Sequence, residues 1–166
     1  MWIETPRLIL RKFKQQDTQE LTFILANPKV MKFSPTGILS LTQTQEKVAS
    51  FIVSYENYGF GKWAVVLKES SKLIGYCGIA VEEIDCKDER EMGYRFDSKF
   101  WGKGLATEAA SAALHYGFAK FKFPYILGIV ERSNAASVRV LEKLGMQYKR
   151  ETVFHGVEVD VYQIDI

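Results

Sequence analysis

The segment Trp101–Glu108, Trp-Gly-Lys-Gly-Leu-Ala-Thr-Glu, is the part of the chain best suited to bind a ligand. Its two glycines, Gly102 and Gly104, lie between a strand-like run, Glu91–Phe96, and an alanine-rich stretch with helical spacing. Glycine lets the backbone turn tightly and approach a ligand, and the N–H groups of a helix's first turn have no acceptor within the helix. Such N–H groups bind anions, so the segment predicts a loop that holds phosphate through backbone amides.

The same segment departs from the two best-known phosphate loops. It lacks the four-residue spacer and the Gly-Lys-Ser/Thr ending of a Walker loop. Ala106 and Thr107 stand where a dinucleotide-binding motif approaches its third glycine, and no acidic residue follows at the ribose position. These departures, with antiparallel strands predicted before the loop, disfavour a nucleotide-dependent oxidoreductase. They favour a pyrophosphate bound with little help from side chains.

A second polar position lies further along the chain, on a predicted helix. Ser137 shares 3-4-7 spacing with Val140, Leu141 and Leu144, so its hydroxyl lies on the helix's apolar side. A hydroxyl there needs a hydrogen-bond partner or a ligand. Asn134, three residues earlier, suits the helix N-cap. This helix therefore carries a candidate binding or catalytic serine.

Composition excludes several function classes. The 166 residues, 47% hydrophobic and 25% charged, predict one domain over residues 1–166. Basic and acidic residues number 10 and 9 before position 86 and 12 and 11 from there on, so no basic segment predicts nucleic-acid binding. No apolar run approaches 18 residues and no signal sequence is recognisable, which predicts a cytoplasmic protein without a membrane partner. Cys77 and Cys86 fit no metal or redox spacing, and no metal is predicted.

Apolar periodicity and turn residues predict the elements that position these groups. The predicted strands are Leu8–Phe13, Lys62–Leu67, Leu73–Val81, Glu91–Phe96, Tyr125–Val130, Gln147–Phe154 and Val157–Ile164, with a charged connection at Glu82–Arg90. The predicted helices are one from the cap Asp17 to Ala26, then Thr44–Asn57, Leu105–Phe121 and Asn134–Leu144. The fold class is α/β (α+β): one mixed, mostly antiparallel sheet of about seven strands, four helices, and a central parallel strand–helix–strand crossover.

This order of elements resembles the GNAT N-acetyltransferase superfamily over the whole chain. Four motifs narrow the resemblance to the branch with the ribosomal-protein N-terminal acetyltransferases, the RimJ/RimL-like enzymes. They are Thr5-Pro-Arg-Leu-Ile-Leu-Arg11, Glu91-Met-Gly-Tyr94, Trp101–Glu108, and Asn134-x-x-Ser137 followed by Leu141-Glu-Lys-Leu-Gly145. Each motif alone is weak, but four in the right order and spacing are specific.

The resemblance implies that acetyl-coenzyme A is the co-substrate. The superfamily loop reads Arg/Gln-x-x-Gly-x-Gly/Ala, and here Trp101 stands at the Arg/Gln position. The resemblance further implies that strand Gly93–Phe96 splays from Tyr125–Val130, with the pantetheine arm between them. A backbone N–H near Tyr94–Phe96 would then polarise the thioester carbonyl. The implied cofactor-binding residues are Tyr94, Phe96, Trp101, Gly102, Lys103, Gly104, Leu105, Ala106, Thr107, Asn134, Ser137 and Leu141.

The resemblance also suggests catalytic residues. Glu91 matches a glutamate often found in the branch and is the leading base for deprotonating an ammonium group, with Glu82 and Glu83 in reserve. Many members place a tyrosine acid near the thiol, but Leu141 occupies that position here. Ser137 remains the candidate proton donor to the departing thiolate, with a contact to coenzyme A as the alternative.

The predicted function is transfer of an acetyl group to a primary amine, a protein N-terminus or a small amine, by direct attack in a ternary complex. The loop Phe33–Leu39, which borders the implied acceptor side, contains no acidic residue and so mildly favours a peptide-like or neutral acceptor. The alternative is a non-catalytic regulatory module that binds an acyl-coenzyme A. A monomer and a homodimer fit the sequence equally well.

Overall fold

The computed structural model describes residues 2–166 and has helices on both faces of one eight-stranded sheet. The strands are β1 Trp2–Glu4, β2 Leu8–Arg11, β3 Lys62–Leu67, β4 Lys72–Ile84, β5 Lys87–Phe96, β6 Tyr125–Val130, β7 Gln147–Phe154 and β8 Val157–Asp165. The helices are α1 Thr18–Leu25, α2 Leu41–Tyr58, α3 Leu105–Tyr116 and α4 Ala135–Lys143. Short 3-10 turns lie at Gln15–Asp17 and Ser98–Phe100, and a π-helical turn, Gly117–Phe121, follows α3.

The strands lie in the order β1-β2-β3-β4-β5-β6-β8-β7, and only the β5–β6 pair is parallel. This arrangement confirms the predicted mixed, mostly antiparallel sheet with one central crossover. The described chain has eight strands instead of about seven because Trp2–Glu4 pairs with β2 at the sheet edge. A three-residue strand is too short to show a periodicity in sequence.

The expected charged connection at Glu82–Arg90 was wrong. β4 and β5 continue as one long hairpin to a two-residue turn at Asp85 and Cys86, whose φ values are 53° and 62°. Two successive positive φ angles give a tight turn whose twist suits a hairpin. Most side chains near the turn are exposed, so charged residues can occupy strand positions there without being buried.

The start of α2, the end of α3 and the cap of α1 also differ from the sequence prediction. α2 begins at Leu41 because Ser40 and Gln43 form a reciprocal capping box, three residues before the predicted start. α3 ends at Tyr116, where the backbone changes to the π-helical turn. Asp17 precedes α1 but does not cap it with its side chain, which instead accepts hydrogen bonds from Arg11 and from the N–H of Lys14.

Alternation along the strands directs neighbouring residues to opposite helix layers. On one face Tyr76 of β4 packs against Phe51 of α2, with ring centroids 5.3 Å apart. On the other face Trp63 of β3 meets Tyr116 of α3, with centroids 5.2 Å apart. None of the helices described in residues 2–166 has both the length and the hydropathy of a membrane-spanning segment.

Candidate active site

The glycine segment forms an open turn at the start of α3. Gly102 and Gly104 have φ angles of 74° and 76°, which L side chains rarely adopt. Gly104 is the N-cap of α3 and supplies no side-chain cap, so the first N–H groups of the helix are left for a ligand. A Cβ at Gly102 would meet no atom within 4 Å. The predicted anion-binding loop therefore has both the required backbone conformation and space before it.

Two residues of the N-terminal motif, Thr5 and Arg7, hold this loop in place through hydrogen bonds. Arg7 donates from Nη1 to the carbonyl of Lys103 at 2.8 Å and from Nε to the Glu108 carboxylate at 2.7 Å. The other Glu108 oxygen accepts from the Arg7 N–H at 2.9 Å and from the Thr5 hydroxyl at 2.6 Å. Burial raises the pKa of Glu108, but these hydrogen bonds outweigh it and the net pKa is lowered. Thr5 and Arg7 thus fix the entry to α3 from a distant part of the sequence.

A cavity of about 580 Å³ begins at this loop and contains ten of the twelve predicted cofactor residues, all except Lys103 and Leu141. These ten are Tyr94, Phe96, Trp101, Gly102, Gly104, Leu105, Ala106, Thr107, Asn134 and Ser137. Lys103 places its ammonium 5.5 Å from the ring centroid of Phe100. Five cationic residues line the cavity: Lys29, Lys32, Arg95, Arg139 and Lys143. This side is suited to an extended molecule with several phosphate groups.

The parallel strands β5 and β6 are joined by one matched pair, Glu91 with Leu127. No further partners match between the rest of β5 and β6, whereas β5 remains paired with β4 as far as Phe96. The backbone of Met92–Phe96 therefore has one edge without a strand partner, at the carboxyl end of both strands. Trp101 donates from Nε1 to the carbonyl of Phe96 at 3.0 Å, which links this edge to the glycine loop.

A second cavity, of about 720 Å³, lies toward α2 and the β7–β8 turn. Lys62, Glu82, Glu91 and Leu141 line it, together with aromatic residues of β4 and α2. The two cavities share five lining residues: Phe33, Tyr94, Arg95, Asn134 and Ser137. They meet where β5 and β6 part, so ligands in the two cavities can touch each other there.

Glu91, the predicted base, is buried in an ion pair. Its Oε2 lies 2.8 Å from Nζ of Lys62, and the two residues are 9% and 7% exposed. Lys62 Nζ also donates to the carbonyl of Gly78 at 3.2 Å. A Cβ at Gly93 would lie 2.6 Å from Nζ, so the glycine after Met92 leaves room for the pair. Lys62 was not predicted as a site residue, although a lysine that opens an otherwise apolar strand was a usable signal.

The two reserve carboxylates, Glu82 and Glu83, lie in different environments. Glu82 lines the second cavity and is half-buried, whereas Glu83 is exposed and lines neither cavity. Burial raises the pKa of Glu82, and the charge of Glu91 adds to that rise. A carboxyl with a raised pKa is a stronger base than an ordinary one once it is ionised.

Ser137 has a partner that the sequence analysis did not assign. The Tyr94 hydroxyl donates to Ser137 Oγ at 3.1 Å, and the Asn134 side chain accepts from the Ser137 N–H at 3.3 Å as the cap of α4. Burial raises the pKa of Tyr94 to about 12, so the phenol keeps its proton near neutral pH. Leu141 is buried in the wall of the second cavity. A tyrosine hydroxyl thus reaches this site from β5 instead of from α4.

Neither cysteine lines either cavity. Cys77 is fully buried, which raises the pKa of its thiol to about 12, and Cys86 is exposed in the hairpin turn. His115 is exposed on α3, and His155 is exposed at the rim of the second cavity. Within residues 2–166, no group of three or more His, Cys, Asp or Glu side chains is arranged to hold a metal ion.

The chain is similar to known proteins in both sequence and structure. Residues 7–147 match the family described as acetyltransferase (GNAT) domain. The chain is 34% identical to YkkB of Bacillus subtilis, over 96% of this chain and 92% of that protein. A crystal structure of a GNAT-family acetyltransferase from Bacillus anthracis is 30% identical, with a TM-score of 0.83, covering 99% of this chain and 98% of that one. RimL, a ribosomal alpha-N-protein acetyltransferase in complex with coenzyme A, shares the fold at 19% identity and a TM-score of 0.81, covering 100% and 98%.

Proposed function

Because the chain belongs to the GNAT acetyltransferase family and is therefore an acetyl-coenzyme A-dependent acyltransferase, we propose that it acetylates a primary amine. The amine attacks the thioester directly in a ternary complex, and the whole chain acts as one catalytic domain. The meeting of the two cavities at the β5–β6 split is the observation that carries this proposal. It gives acetyl donor and acceptor separate entrances and one common point.

The residues on the donor side fit coenzyme A. The uncapped start of α3 and the cations around the first cavity suit its phosphate groups. The free edge of β5 suits the amide-containing pantetheine arm, which can hydrogen-bond as a strand would. A backbone N–H at Tyr94–Phe96 is the proposed donor to the thioester oxygen. Preorganised donors of this kind are worth about 3–4 kcal/mol in comparable sites.

The acceptor side suits an amine. Glu82 and Glu91 bring carboxylates to the second cavity, where an ammonium group can be bound and deprotonated. Glu91 is the base expected from the motif, and we propose that the Tyr94–Ser137 pair, joined by a hydrogen bond of 3.1 Å, supplies a proton to the departing thiolate. The burial of Cys77 and the position of Cys86 outside both cavities support direct attack without an acyl-enzyme intermediate. RimL, whose name specifies a protein α-amine, supports a protein N-terminus as one acceptor class, with small amines as the other.

Titration calorimetry with acetyl-coenzyme A tests the donor site. We expect the wild type to bind and Gly104→Glu to lose at least about 100-fold in affinity, because a carboxylate would enter the anion site. Gly145→Glu is the matched control, since Gly145 also has positive φ (85°) but lines neither cavity. Equal binding by both variants and the wild type would refute the assigned phosphate loop.

Thiol release from acetyl-coenzyme A with a panel of peptides and small amines tests the reaction. Amine-dependent release, with an acetylated product of the expected mass, supports transfer. Tight binding without release for any amine supports the alternative, a regulatory module that binds acyl-coenzyme A. A protein-bound acetyl group that forms without amine and is then passed to it would overturn direct attack.

A further inference from the structure

We propose that Glu82, rather than Glu91, accepts the proton of the incoming ammonium group, and that Lys62 and Glu91 form a fixed ion pair that positions the charge around it. This inference rests on the proposed amine acetylation and assigns its base. It reverses the ranking expected from the motif, in which Glu91 leads. The two carboxylates differ in whether other residues engage them.

Glu91 is already occupied. Its carboxylate accepts from Lys62 Nζ at 2.8 Å, and both side chains are largely removed from water. Two further features keep the pair in place. Lys62 Nζ also donates to the carbonyl of Gly78, and Gly93, which has no side chain, leaves room for the ammonium group. Taking a proton from the substrate would neutralise Glu91 and leave a buried ammonium unpaired, which is strongly unfavourable. Glu91 is therefore better suited to hold its charge than to exchange it.

Glu82 is accessible. It lies on the same sheet face as Glu91, lines the same cavity and is half-buried. Within the described residues, no hydrogen bond or ion pair engages its carboxylate. Its cross-strand neighbour Glu89, by contrast, accepts from the hydroxyl of Tyr125 at 2.9 Å. Of Glu82 and Glu91, Glu82 is therefore the carboxylate that can take up a proton without breaking a buried contact.

The charges of Lys62 and Glu91 act on the pKa of Glu82. After burial, the charge of Glu91 contributes most to raising the pKa of Glu82, and Lys62 opposes it most strongly. Positive charge on His155, at the β7–β8 turn, and on Lys47, on α2, lowers it further. Changes to Lys62 and Glu91 should therefore move the titration of Glu82 in opposite directions.

The proton balance of the reaction is complete with these groups. Glu82, directly or through a water molecule, takes one proton from the ammonium group, and the amine nitrogen then bonds to the thioester carbonyl carbon. The carbon–sulfur bond breaks, the thiolate leaves, and the nitrogen's surplus proton reaches sulfur through Tyr94 and Ser137. Glu82 returns its proton to solvent. No oxidant, reductant or further reactant is required.

The test is the pH profile of kcat/KM for an amine that the wild type acetylates, at a temperature where circular dichroism shows each variant folded. Glu82→Gln should lose about 100-fold at neutral pH and lose the acidic limb of the profile. Glu91→Gln removes the negative charge and leaves that of Lys62, which lowers the pKa of Glu82. The acidic limb of the profile should therefore shift to a pH about one unit lower. Lys62→Met should shift the acidic limb to higher pH by a similar amount. Lys62→Arg, which keeps the positive charge, should leave the limb at its wild-type pH.

Two outcomes would overturn the inference. One is a Glu82→Gln variant that keeps its acidic limb and activity, and the other is a Glu91→Gln variant whose limb disappears, which would return the role to Glu91. If Lys62→Met does not fold, the downward shift in Glu91→Gln and the unshifted limb in Lys62→Arg still decide between the two carboxylates. Failure of the wild type to acetylate any amine would refute the proposed function instead, before the variants are compared.

Discussion

The two sides of the site are built differently. On the side proposed for the acetyl donor, a short contiguous segment presents backbone groups. The ion pair of Arg7 with Glu108, which holds this segment, lies at the surface, with Arg7 about half exposed. On the acceptor side, single side chains from β3, β4 and β5 converge, and the ion pair between Lys62 and Glu91 is buried. One side depends on backbone conformation, and the other depends on charges removed from water.

This difference predicts where substitutions act. A change on the donor side should alter cofactor affinity more than stability, because exposed contacts contribute little to folding. A change to the buried pair should alter stability strongly, because breaking such a pair leaves a charge without a partner. The variants below test this division, beginning with the largest expected effect.

Lys62→Met should lower the free energy of unfolding by about 3–5 kcal/mol, because the Glu91 carboxylate is left buried and unpaired. The double variant Lys62→Met with Glu91→Gln should recover much of the loss, since no unpaired charge remains. Urea denaturation followed by circular dichroism measures both. Arg150→Met is the control, because Arg150 and Asp85 form a similar but exposed pair. If Lys62→Met were no worse than Arg150→Met, the buried pair would not stabilise this side.

The same division explains what could be predicted from sequence. The conformation of the glycine loop was predictable because the features that form it, two glycines and a helix start, are adjacent in the chain. Strands Lys62–Leu67 and Tyr125–Val130 were predicted with the bounds the structure has, since both have clear ends and are apolar runs apart from the opening Lys62. The long hairpin through Asp85 was not, because its exposed charged strands resemble a loop in composition.

The acceptor side could not be predicted because it depends on tertiary register. Lys62 lies 29 positions before Glu91, and nothing local pairs them until β3 and β5 align on either side of β4. The contact between Tyr94 and Ser137 likewise requires α4 to pack beside β5. The motifs marked both residues as cofactor contacts, but the hydrogen bond between them follows only from the fold.

Arg7→Met should weaken acetyl-coenzyme A binding about tenfold, which equals about 1.4 kcal/mol, while the melting temperature changes little. The loss arises because Lys103 and Glu108 would no longer be held in the conformation that presents the loop. Titration calorimetry and thermal unfolding measure the two effects.

Arg11→Met is the matched control for Arg7→Met. Arg11 pairs with Asp17 through two hydrogen bonds of 2.8 Å, but it lines neither cavity. It should lower the melting temperature at least as much as Arg7→Met, since Asp17 is nearly buried, and leave acetyl-coenzyme A binding unchanged. Equal binding losses in the two variants would mean that Arg7 acts only through general stability.

The smallest effect on catalysis is expected where the two cavities meet, at Tyr94 and Ser137. Tyr94→Phe and Ser137→Ala should each lower kcat less than about tenfold, because a thiolate with a pKa near 8.5 leaves with little assistance. The double variant should lose no more than the worse single variant if the two hydroxyls form one path to sulfur. Because the pKa of Tyr94 is about 12, the ratio of variant to wild-type kcat should stay constant from pH 6 to 9. Additive losses would indicate two independent contacts to the cofactor, and the junction would then serve binding alone.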